Sequence, residues 1–547
     1  LLKALSESVS IKAAGTTEMF KLTGSAALLL SNIVVDGNGM ASAFSFAGTG
    51  KNELSGVTVK NTRNGAVRNA AELTITKATF EDNVAGSAAV IENSGVIKVT
   101  DTIFNNNSSD RSVISSESDL TMAGGAFKNN TGNGSLVMSN GIVTVNGTTF
   151  TGNTNAGDLI TGQSVTVTGG SFTENTGNQS VIDAGGDVTL ENGVTFIENE
   201  SSDSVVVANG NITVNVAGFE SNQGAGSLLN SVNGDVLIDG SIFAGNTNTG
   251  DLIIGQSITV NGGSFENNTN NTSVINAGGD VTLMDASFRE NESSDSVVVA
   301  NGNVTVDGGS FMNNRGTGSL IKSNNTVTVN ETTFTGNTNM GDLITGQSVT
   351  VNSGNFTDNT GNESVINATD SVTVQESVFH GNGTQTLIKG RDVILNESSI
   401  YENTATGAIA SGSNRLIVVS TTIAENSAAL DLQGGDVTAV NSTIAEASGI
   451  LIEGNNVQIA NSIVVTKDNS DAVAGTEVAV AYSAISGKVN TIFADGMKSG
   501  LSYADVFGNN TLTNGFISLP ADSPAVPGVW TAVDYDSSLV YYSTQPT

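Results

Sequence analysis

The sequence predicts an all-β fold, a single-stranded right-handed parallel β-helix with three sides and about 20 coils of 22–24 residues. Three observations predict it: a phenylalanine that recurs at a nearly fixed period, an asparagine three residues after each one, and short strands that alternate polar with apolar residues. A right-handed path is expected because parallel crossovers are almost always right-handed.

The repeat is carried by Phe-x-x-Asn, in which only the first and fourth positions are constant. Its members are Phe80/Asn83, Phe104/Asn107, Phe127/Asn130, Phe150/Asn153, Phe172/Asn175, Phe196/Asn199, Phe219/Asn222, Phe243/Asn246, Phe265/Asn268, Phe288/Asn291, Phe311/Asn314, Phe334/Asn337, Phe356/Asn359 and Phe379/Asn382. The pattern continues with isoleucine at Ile400/Asn403 and Ile423/Asn426. A constant period of this length is typical of stacked supersecondary units.

One repeat shows the predicted local structure. Ser164–Thr168 alternates polar and apolar residues, as a strand with one buried face does. Gly169–Gly170 turns the chain into a second short strand, Ser171–Thr173. Asn175–Asn178 is a second turn, and Ser180–Ile182 is the third strand. Three short strands per repeat make one coil of a three-sided solenoid.

The constant residues are expected to form the core. Successive coils of a parallel solenoid stack about 4.8 Å apart, so equivalent residues lie directly above one another. The phenylalanines should therefore stack inward. Asparagine tolerates left-handed backbone, so we expect each asparagine at a turn, with its amide bonded to the asparagine of the next coil.

A longer period covers four repeats. Near-identical segments begin at Gly152, Gly245 and Gly336, and another pair begins at Glu200 and Glu292. Duplication of this kind lengthens a solenoid easily. We define the three stretches that begin at Gly152, Gly245 and Gly336 as blocks one, two and three.

The chain is predicted to divide into a β-helix rod, residues 1–470, and degenerate last coils with a C-terminal cap, residues 471–547. Aromatic residues other than phenylalanine, and all four prolines, concentrate in the second part: Tyr482, Tyr503, Pro520, Pro524, Pro527, Trp530, Tyr535, Tyr541, Tyr542 and Pro546. Leu1 is not an initiator methionine, so we expect a mature product or a fragment whose coils continue upstream.

Charge and cysteine content narrow the class of protein. With 53 acidic and 20 basic residues, the net charge of -33 argues against binding to nucleic acid or to anionic lipid. The absence of cysteine favours an extracytoplasmic location. No apolar stretch approaches the roughly 18 residues of a membrane-spanning helix, so this segment is not expected to insert into a membrane.

The Phe-x-x-Asn repeat resembles the passenger domains of chlamydial polymorphic membrane proteins, which are autotransporter adhesins; Gly124–Phe127 is a loose form of their partner motif. More widely, residues 8–470 resemble bacterial right-handed β-helix surface proteins, including giant adhesins. Ser31–Gly39 and Leu519–Val526 also look like segments of such proteins. The resemblance implies an extracellular or cell-surface location.

No catalytic, cofactor-binding or metal-binding residue is predicted. The single histidine, His380, is expected to be an exposed turn residue, and one histidine supplies neither a triad nor a metal pair. Asp158, Asp251 and Asp342 recur with the block period and are expected to be solvated turn residues that cannot share an ion. Asp36–Gly39 is a fragment of calcium-binding chemistry at best.

The sequence therefore favours a non-catalytic adhesin or structural rod of the cell surface. Its expected partner is a host-cell surface, a glycan or a neighbouring surface protein. The alternative is a polysaccharide-active β-helix enzyme or a phage tailspike-like glycan-binding protein, which requires unlike polar groups on one face of adjacent coils. Outward positions vary among Thr, Ser, Asn, Lys and Asp, which argues against an ice-binding face.

Overall fold

The computed structural model describes residues 2–3, 9–446, 449–489, 493–510, 519–520 and 523–525. These residues form a parallel β-solenoid of about 21 turns with almost no helix, which confirms the predicted fold class. The chain divides into two compact units: Leu1–Val281 with Asn291–Ser294, and Thr282–Glu290 with Asp295–Thr547.

The first unit contains three series of parallel strands. The Phe-bearing series is Ser10–Lys12, Val34–Asp36, Thr58–Lys60, Thr79–Glu81, Ile103–Asn105, Ala126–Lys128, Thr149–Thr151, Ser171–Thr173, Thr195–Ile197, Gly218–Glu220, Ile242–Ala244 and Ser264–Glu266. The valine-rich series is Leu2–Lys3, Leu29–Ser31, Lys51–Ser55, Glu72–Thr76, Val96–Thr100, Leu120–Ala123, Val143–Asn146, Val165–Thr168, Val188–Glu191, Ile212–Asn215, Val236–Asp239 and Ile258–Asn261. The isoleucine series is Phe20–Leu22, Phe44–Phe46, Val67–Asn69, Ile91–Asn93, Ile114–Ser116, Val137–Ser139, Ile160–Gly162, Ile182–Ala184, Val206–Ala208, Leu229–Ser231, Ile253–Gly255 and Ile275–Ala277.

The second unit begins with the same three series and then changes. Its Phe-bearing series is Ser287–Arg289, Ser310–Met312, Thr333–Thr335, Asn355–Thr357, Val378–His380, Ser399–Tyr401, Thr422–Ala424, Thr443–Glu446, Ile463–Thr466, Ala484–Ile485 and Lys498–Ser499. The valine-rich strands are Val281–Met284, Val304–Asp307, Thr326–Asn330, Ser348–Asn352 and Ser371–Gln375, and the isoleucine strands are Val298–Ala300, Ile321–Ser323 and Ile344–Gly346. Longer strands follow at Thr360–Ala368, Gly383–Asn396, Ala408–Val419, Leu430–Val440, Ile452–Ala460 and Val473–Ala481, with Phe493–Asp495 last.

The predicted three-sided coil needs two corrections. The third strand of the coil analysed above is Ile182–Ala184, two residues later than predicted, because Val181 and Ile182 are both fully buried and the chain bends before them. A fourth, two-residue strand follows the asparagine in many coils: Ser108–Ser109, Thr131–Gly132, Thr154–Asn155, Glu200–Ser201, Gln223–Gly224, Thr247–Asn248, Glu292–Ser293, Arg315–Gly316, Thr338–Asn339 and Thr404–Ala405.

The phenylalanine stack is confirmed in both units. Phe219 is fully buried, and its ring centroid lies 4.8 Å from that of Phe196 and 5.0 Å from that of Phe243. In the second unit, the rings of Phe334 and Phe356 are 4.8 Å apart and nearly parallel. The separation equals the strand spacing of a parallel solenoid, because the rings stand at the same register in successive coils.

The predicted ladder of asparagines is also confirmed, and we call this column the asparagine ladder. The Asn199 Nδ2 donates to Asn222 Oδ1 at 2.9 Å and to the Phe172 carbonyl at 2.9 Å. Its Oδ1 accepts from both the Nδ2 and the backbone N–H of Asn175, at 2.9 and 3.2 Å. Each amide in the ladder is therefore saturated while fully buried, which removes the cost of taking it out of water.

In this turn the residue with left-handed backbone conformation is the one before the asparagine, whereas the sequence pointed to the asparagine itself. Glu174 and Glu198 have φ of 53°, whereas Asn175 and Asn199 are not among the residues with positive φ. The residue before the asparagine is left-handed in every Phe-x-x-Asn repeat. Asparagine is thus required at its position by hydrogen bonding, and the backbone strain falls on a residue of no fixed type.

A second buried polar column stands two or three residues beyond the ladder. Its members are Asn155, Asn178 and Ser201 in block one, Asn248, Asn271 and Ser293 in block two, and Asn339, Asn362 and Thr384 in block three. Within the described residues, the Oδ1 or hydroxyl oxygen of all nine lacks a hydrogen-bond partner. We call this set the second polar column.

A short helix, Tyr503–Phe507, follows the last coil and begins with a capping box between Ser502 and Asp505. Tyr503, Val506 and Phe507 pack against Ala424, Ala445, Val465 and Ala484 on the outer face of the Phe-bearing sheet. Of the predicted cap, Tyr482, Pro520 and Pro524 are described, while Pro527, Trp530, Tyr535, Tyr541, Tyr542 and Pro546 lie outside the described residues.

Candidate functional site

The candidate site is an open cleft in the first coils, with a volume of about 500 Å³. Lys12, Asp36, Arg63 and Asp82 line it, together with the amides of two asparagines, Asn38 and Asn61. Strand register places Lys12 beside Asp36 on adjacent coils. The cleft is thus a place where unlike polar groups from adjacent coils meet.

A tight loop builds this cleft. The backbone N–H of Gly37 donates to the Lys60 carbonyl at 2.8 Å, and that of Gly39 donates to the Asn61 carbonyl at 2.7 Å. A side chain at Gly37 would collide with the Ala41 carbonyl and the Thr62 Cα, each 2.7 Å from an ideal Cβ. Only glycine fits this close backbone approach.

The Asp36 carboxylate organises the loop and is already occupied. Its Oδ1 accepts from the backbone N–H of Asn38 at 2.8 Å and from the Asn61 Nδ2 at 3.2 Å. Asp36–Gly39, singled out in the sequence as a trace of calcium-binding chemistry, therefore forms a turn that closes on itself. The cleft can offer cationic, carboxylate and amide groups to a polar ligand.

The recurring aspartates are not solvated, so that prediction is wrong. Asp158, Asp251 and Asp342 are 9%, 8% and 9% exposed. Each directly follows a bend, and in block one the Asp158 Oδ1 accepts from the backbone N–H of Ser180, in the next coil, at 3.0 Å. Burial, and then the nearby Asp183 carboxylate, raises the pKa of Asp158 to about 6.

The three blocks treat their aspartate differently. Asn276 Nδ2 donates to Asp251 Oδ2 at 2.9 Å, and Asn367 Nδ2 donates to Asp342 Oδ2 at 2.9 Å. Block one has Asp183 at the equivalent position, so Asp158 has a second carboxylate nearby instead of an asparagine amide, and it accepts from Thr161 Oγ1 at 3.2 Å and from the Ser180 N–H at 3.0 Å. Burial, and then the charge of Asp203, also raises the pKa of Asp183.

His380 ends a strand instead of lying in a turn, and its side chain is one-third exposed. Its ring stacks on Tyr401 with the centroids 4.6 Å apart, and its Nδ1 lies 3.4 Å from Glu402 Oε2. The outward orientation agrees with the sequence prediction, while the stacking on Tyr401 makes this histidine part of the sheet surface.

A column of threonines lines the outer face of the valine-rich strands, and we call it the threonine column. Register aligns Thr121, Thr144, Thr166, Thr189 and Thr213 in the first unit, and Thr305, Thr328, Thr350 and Thr373 in the second. The column is hidden in the sequence because the next outward position on the same strands varies, as at Asn146, Thr168 and Glu191.

Among the described residues, no group of three or more His, Cys, Asp or Glu side chains could hold a metal ion. Within the same ranges, no helix is long and apolar enough to cross a membrane.

Comparison with known proteins gives a family. The model of the right-handed β-helix region matches residues 20–172, 203–357 and 343–483. No curated protein matches. Among solved structures, the PL6 family alginate lyase AlyGC is 10% identical over 90% of this chain and 99% of its own, with a TM-score of 0.24, and a mutant of it gives 0.20. The chain belongs to the right-handed β-helix family.

Proposed function

We propose that this chain is a non-catalytic adhesin or structural element of a bacterial cell surface. The observation that carries the proposal is the threonine column. It repeats one hydroxyl-bearing residue over at least five successive coils of the first unit. Weak contacts that repeat at a fixed spacing add through avidity, which suits attachment to a host-cell surface, a glycan or a neighbouring surface protein.

The distribution of constant and variable residues supports the same proposal. The constant Phe and Asn residues face the core, where they stack or saturate one another. Catalysis instead needs different groups that converge on one point. The neighbouring outward residues vary from coil to coil, while the threonine column repeats, so the column offers an extended binding face.

The test is binding to soluble oligosaccharides and intact eukaryotic cells, with cleavage assayed in parallel. Five Thr→Val changes at Thr121, Thr144, Thr166, Thr189 and Thr213 remove the hydroxyls while keeping the branched shape. We expect at least a tenfold loss of binding. The matched control changes Thr149 and Thr195 on the Phe-bearing strands to Val and should bind like the parent protein. Unchanged binding by the fivefold variant would overturn the role of the threonine column.

The cleft favours one alternative, a polysaccharide-active enzyme or a tailspike-like glycan-binding protein. It brings Lys12, Asp36, Arg63 and Asp82 together from adjacent coils, as an active site would. Polysaccharides incubated with the chain would then release new reducing ends or unsaturated products. Cleavage that disappears in Asp82→Asn would establish the enzyme and contradict the adhesin.

A further inference from the structure

One corner of the first unit departs from the polar surface around it. Val216, Leu237 and Ile242 are 56%, 41% and 56% exposed. We call these three residues the apolar corner. Leu237 interrupts the threonine column, where register pairs it with Thr213. Ile242 stands on the neighbouring Phe-bearing strand, paired with Gly218.

Val216 connects the two strand positions. It occupies the corner of the preceding coil, and its backbone N–H donates to the Asp239 carbonyl at 2.9 Å. Its Cγ2 would lie 3.8 Å from an ideal Cβ on Gly240, the corner residue between Leu237 and Ile242. The isopropyl group therefore rests directly over the turn that joins the two strands.

The backbone of Val216 is strained. Its φ is 51°, in the left-handed region that β-branched residues rarely adopt. An exposed valine in this conformation lacks the burial that would offset the strain, and strain of this kind concentrates at functional positions.

The equivalent positions of neighbouring repeats show that the fold does not require these apolar residues. One long period earlier, before block one, the positions equivalent to Val216, Leu237 and Ile242 are Gly124, Thr144 and Thr149, and in block two they are Gly308, Thr328 and Thr333. Gly124 and Gly308 also have positive φ, 65° and 70°, which glycine adopts without strain. Three independent changes thus converge on one corner of one block.

The surroundings indicate the chemistry of the occupant. There is no Lys or Arg between residues 129 and 288. Exposed Glu220, Asp235 and Asp239 lie on the strands that carry the apolar corner or directly beside them. A second copy of this chain would bring like charge, whereas a partner with cations around an apolar side chain would be complementary.

We infer that the apolar corner is a docking surface for a protein segment that combines apolar side chains with lysine or arginine. The inference rests on the proposed function of this chain as a binding protein. It names a class of partner for the apolar corner, which is a different surface from the threonine column. Its failure is distinguishable from that of the proposed function, because the test leaves the threonine column of the five aligned coils unchanged.

The probes are a synthetic peptide of alternating leucine and lysine and a serine–lysine peptide of equal charge and length. We expect the parent chain to bind the leucine–lysine peptide at least tenfold more tightly. Leu237→Thr with Ile242→Thr, which restores the residues of the equivalent positions, should abolish that difference. Met340→Thr, which removes a 71% exposed apolar residue elsewhere, should leave it unchanged.

A transfer variant tests sufficiency. Adding Thr328→Leu and Thr333→Ile to the Leu237→Thr/Ile242→Thr background should restore preference for the leucine–lysine peptide, with circular dichroism confirming equal folding. Equal binding of both peptides by the parent chain would overturn the inference. Binding to neutral phosphatidylcholine vesicles that Leu237→Thr with Ile242→Thr abolishes would also overturn it, because the apolar corner would then bind a membrane. Self-association in sedimentation that the same two changes abolish would overturn it as well, because the corner would then bind a second copy of the chain.

Discussion

The asparagine ladder and the second polar column bury the same kind of side chain in the same coils, but only the ladder satisfies it. Asn199 makes four side-chain hydrogen bonds. Asn271 is equally buried, and neither atom of its amide has a partner within the described residues. The ladder position is asparagine after each of the fourteen recurring phenylalanines, whereas the second polar column also contains serine and threonine. Saturation therefore explains conservation within the repeat better than burial does.

The largest expected effect is at the ladder. Replacing Asn199 with Leu removes the acceptor of two donors on Asn175 and the donor to Phe172 and Asn222. Each unsatisfied buried group costs about 1–3 kcal/mol, so the total loss should be about 4 kcal/mol. The urea midpoint followed by circular dichroism measures it. A loss below about 1 kcal/mol would show that the ladder bonds contribute little.

The second effect concerns Asp158, whose backbone carbonyl accepts from Asn155 Nδ2 of the second polar column at 2.7 Å. Its folded pKa of about 6 lies above the ordinary 3.8. Protonated Asp158 therefore contributes a stabilisation of the folded state that is fully present below about pH 3.8. This stabilisation is lost as the pH rises through about 6. We expect roughly 2 kcal/mol of pH-dependent stability, reduced from the full shift because the carboxylate is partly screened.

Two variants check this sign. Asp158→Asn should lose less stability than the parent between pH 4 and pH 7, measured as the difference in urea midpoint. Asp183→Asn should also reduce the loss of stability between pH 4 and pH 7, but by a smaller amount. The new side chain supplies the amide that Asn276 and Asn367 provide in the other blocks. If the difference in stability between the parent chain and Asp158→Asn did not change with pH, the raised pKa of Asp158 would be contradicted.

The smallest expected change in stability is at the second polar column, which is compared with the asparagine ladder. Asn271→Leu removes an amide that makes no bond, so it should change stability by no more than about 1 kcal/mol and is expected to increase it. The substitution is matched in type and burial to Asn199→Leu. If both variants lost several kcal/mol, the second column would be satisfied by groups beyond the protein chain, and the contrast would fail.

The fold followed closely from the sequence, while several local features did not. Phe-x-x-Asn predicted the aromatic stack and the ladder because a fixed period places equal residues at equal register. The third strand was predicted two residues early, at Ser180, because periodicity cannot locate the bend that leaves both Val181 and Ile182 buried. The left-handed position was assigned to asparagine on its intrinsic preference, while the structure uses the residue before it, even when that residue is Glu174.

The candidate site shows the same division. Lys12, Asp36, Arg63 and Asp82 are scattered in the sequence, and only the stacking of their coils brings them to one cleft. Of this group, the sequence pointed only to Asp36, as part of Asp36–Gly39, a fragment of calcium-binding chemistry. Asn38 stands three residues after Val35, as a ladder asparagine would, but it has a φ of 55° and lies in a turn, so only the structure reveals this departure from the regular coil.

The sequence by itself determined the architecture. The repeats have a nearly constant length and each strand has one apolar face, so stacking them as a parallel solenoid buries the apolar faces of all coils. It also determined the acidic surface and the composition of the core. The tertiary structure decided which polar residues are buried, as at Asp158, and which surface residues form columns, as at the threonines. These depend on the neighbours above and below in the stack, about 23 residues away in sequence, where a local pattern carries no information.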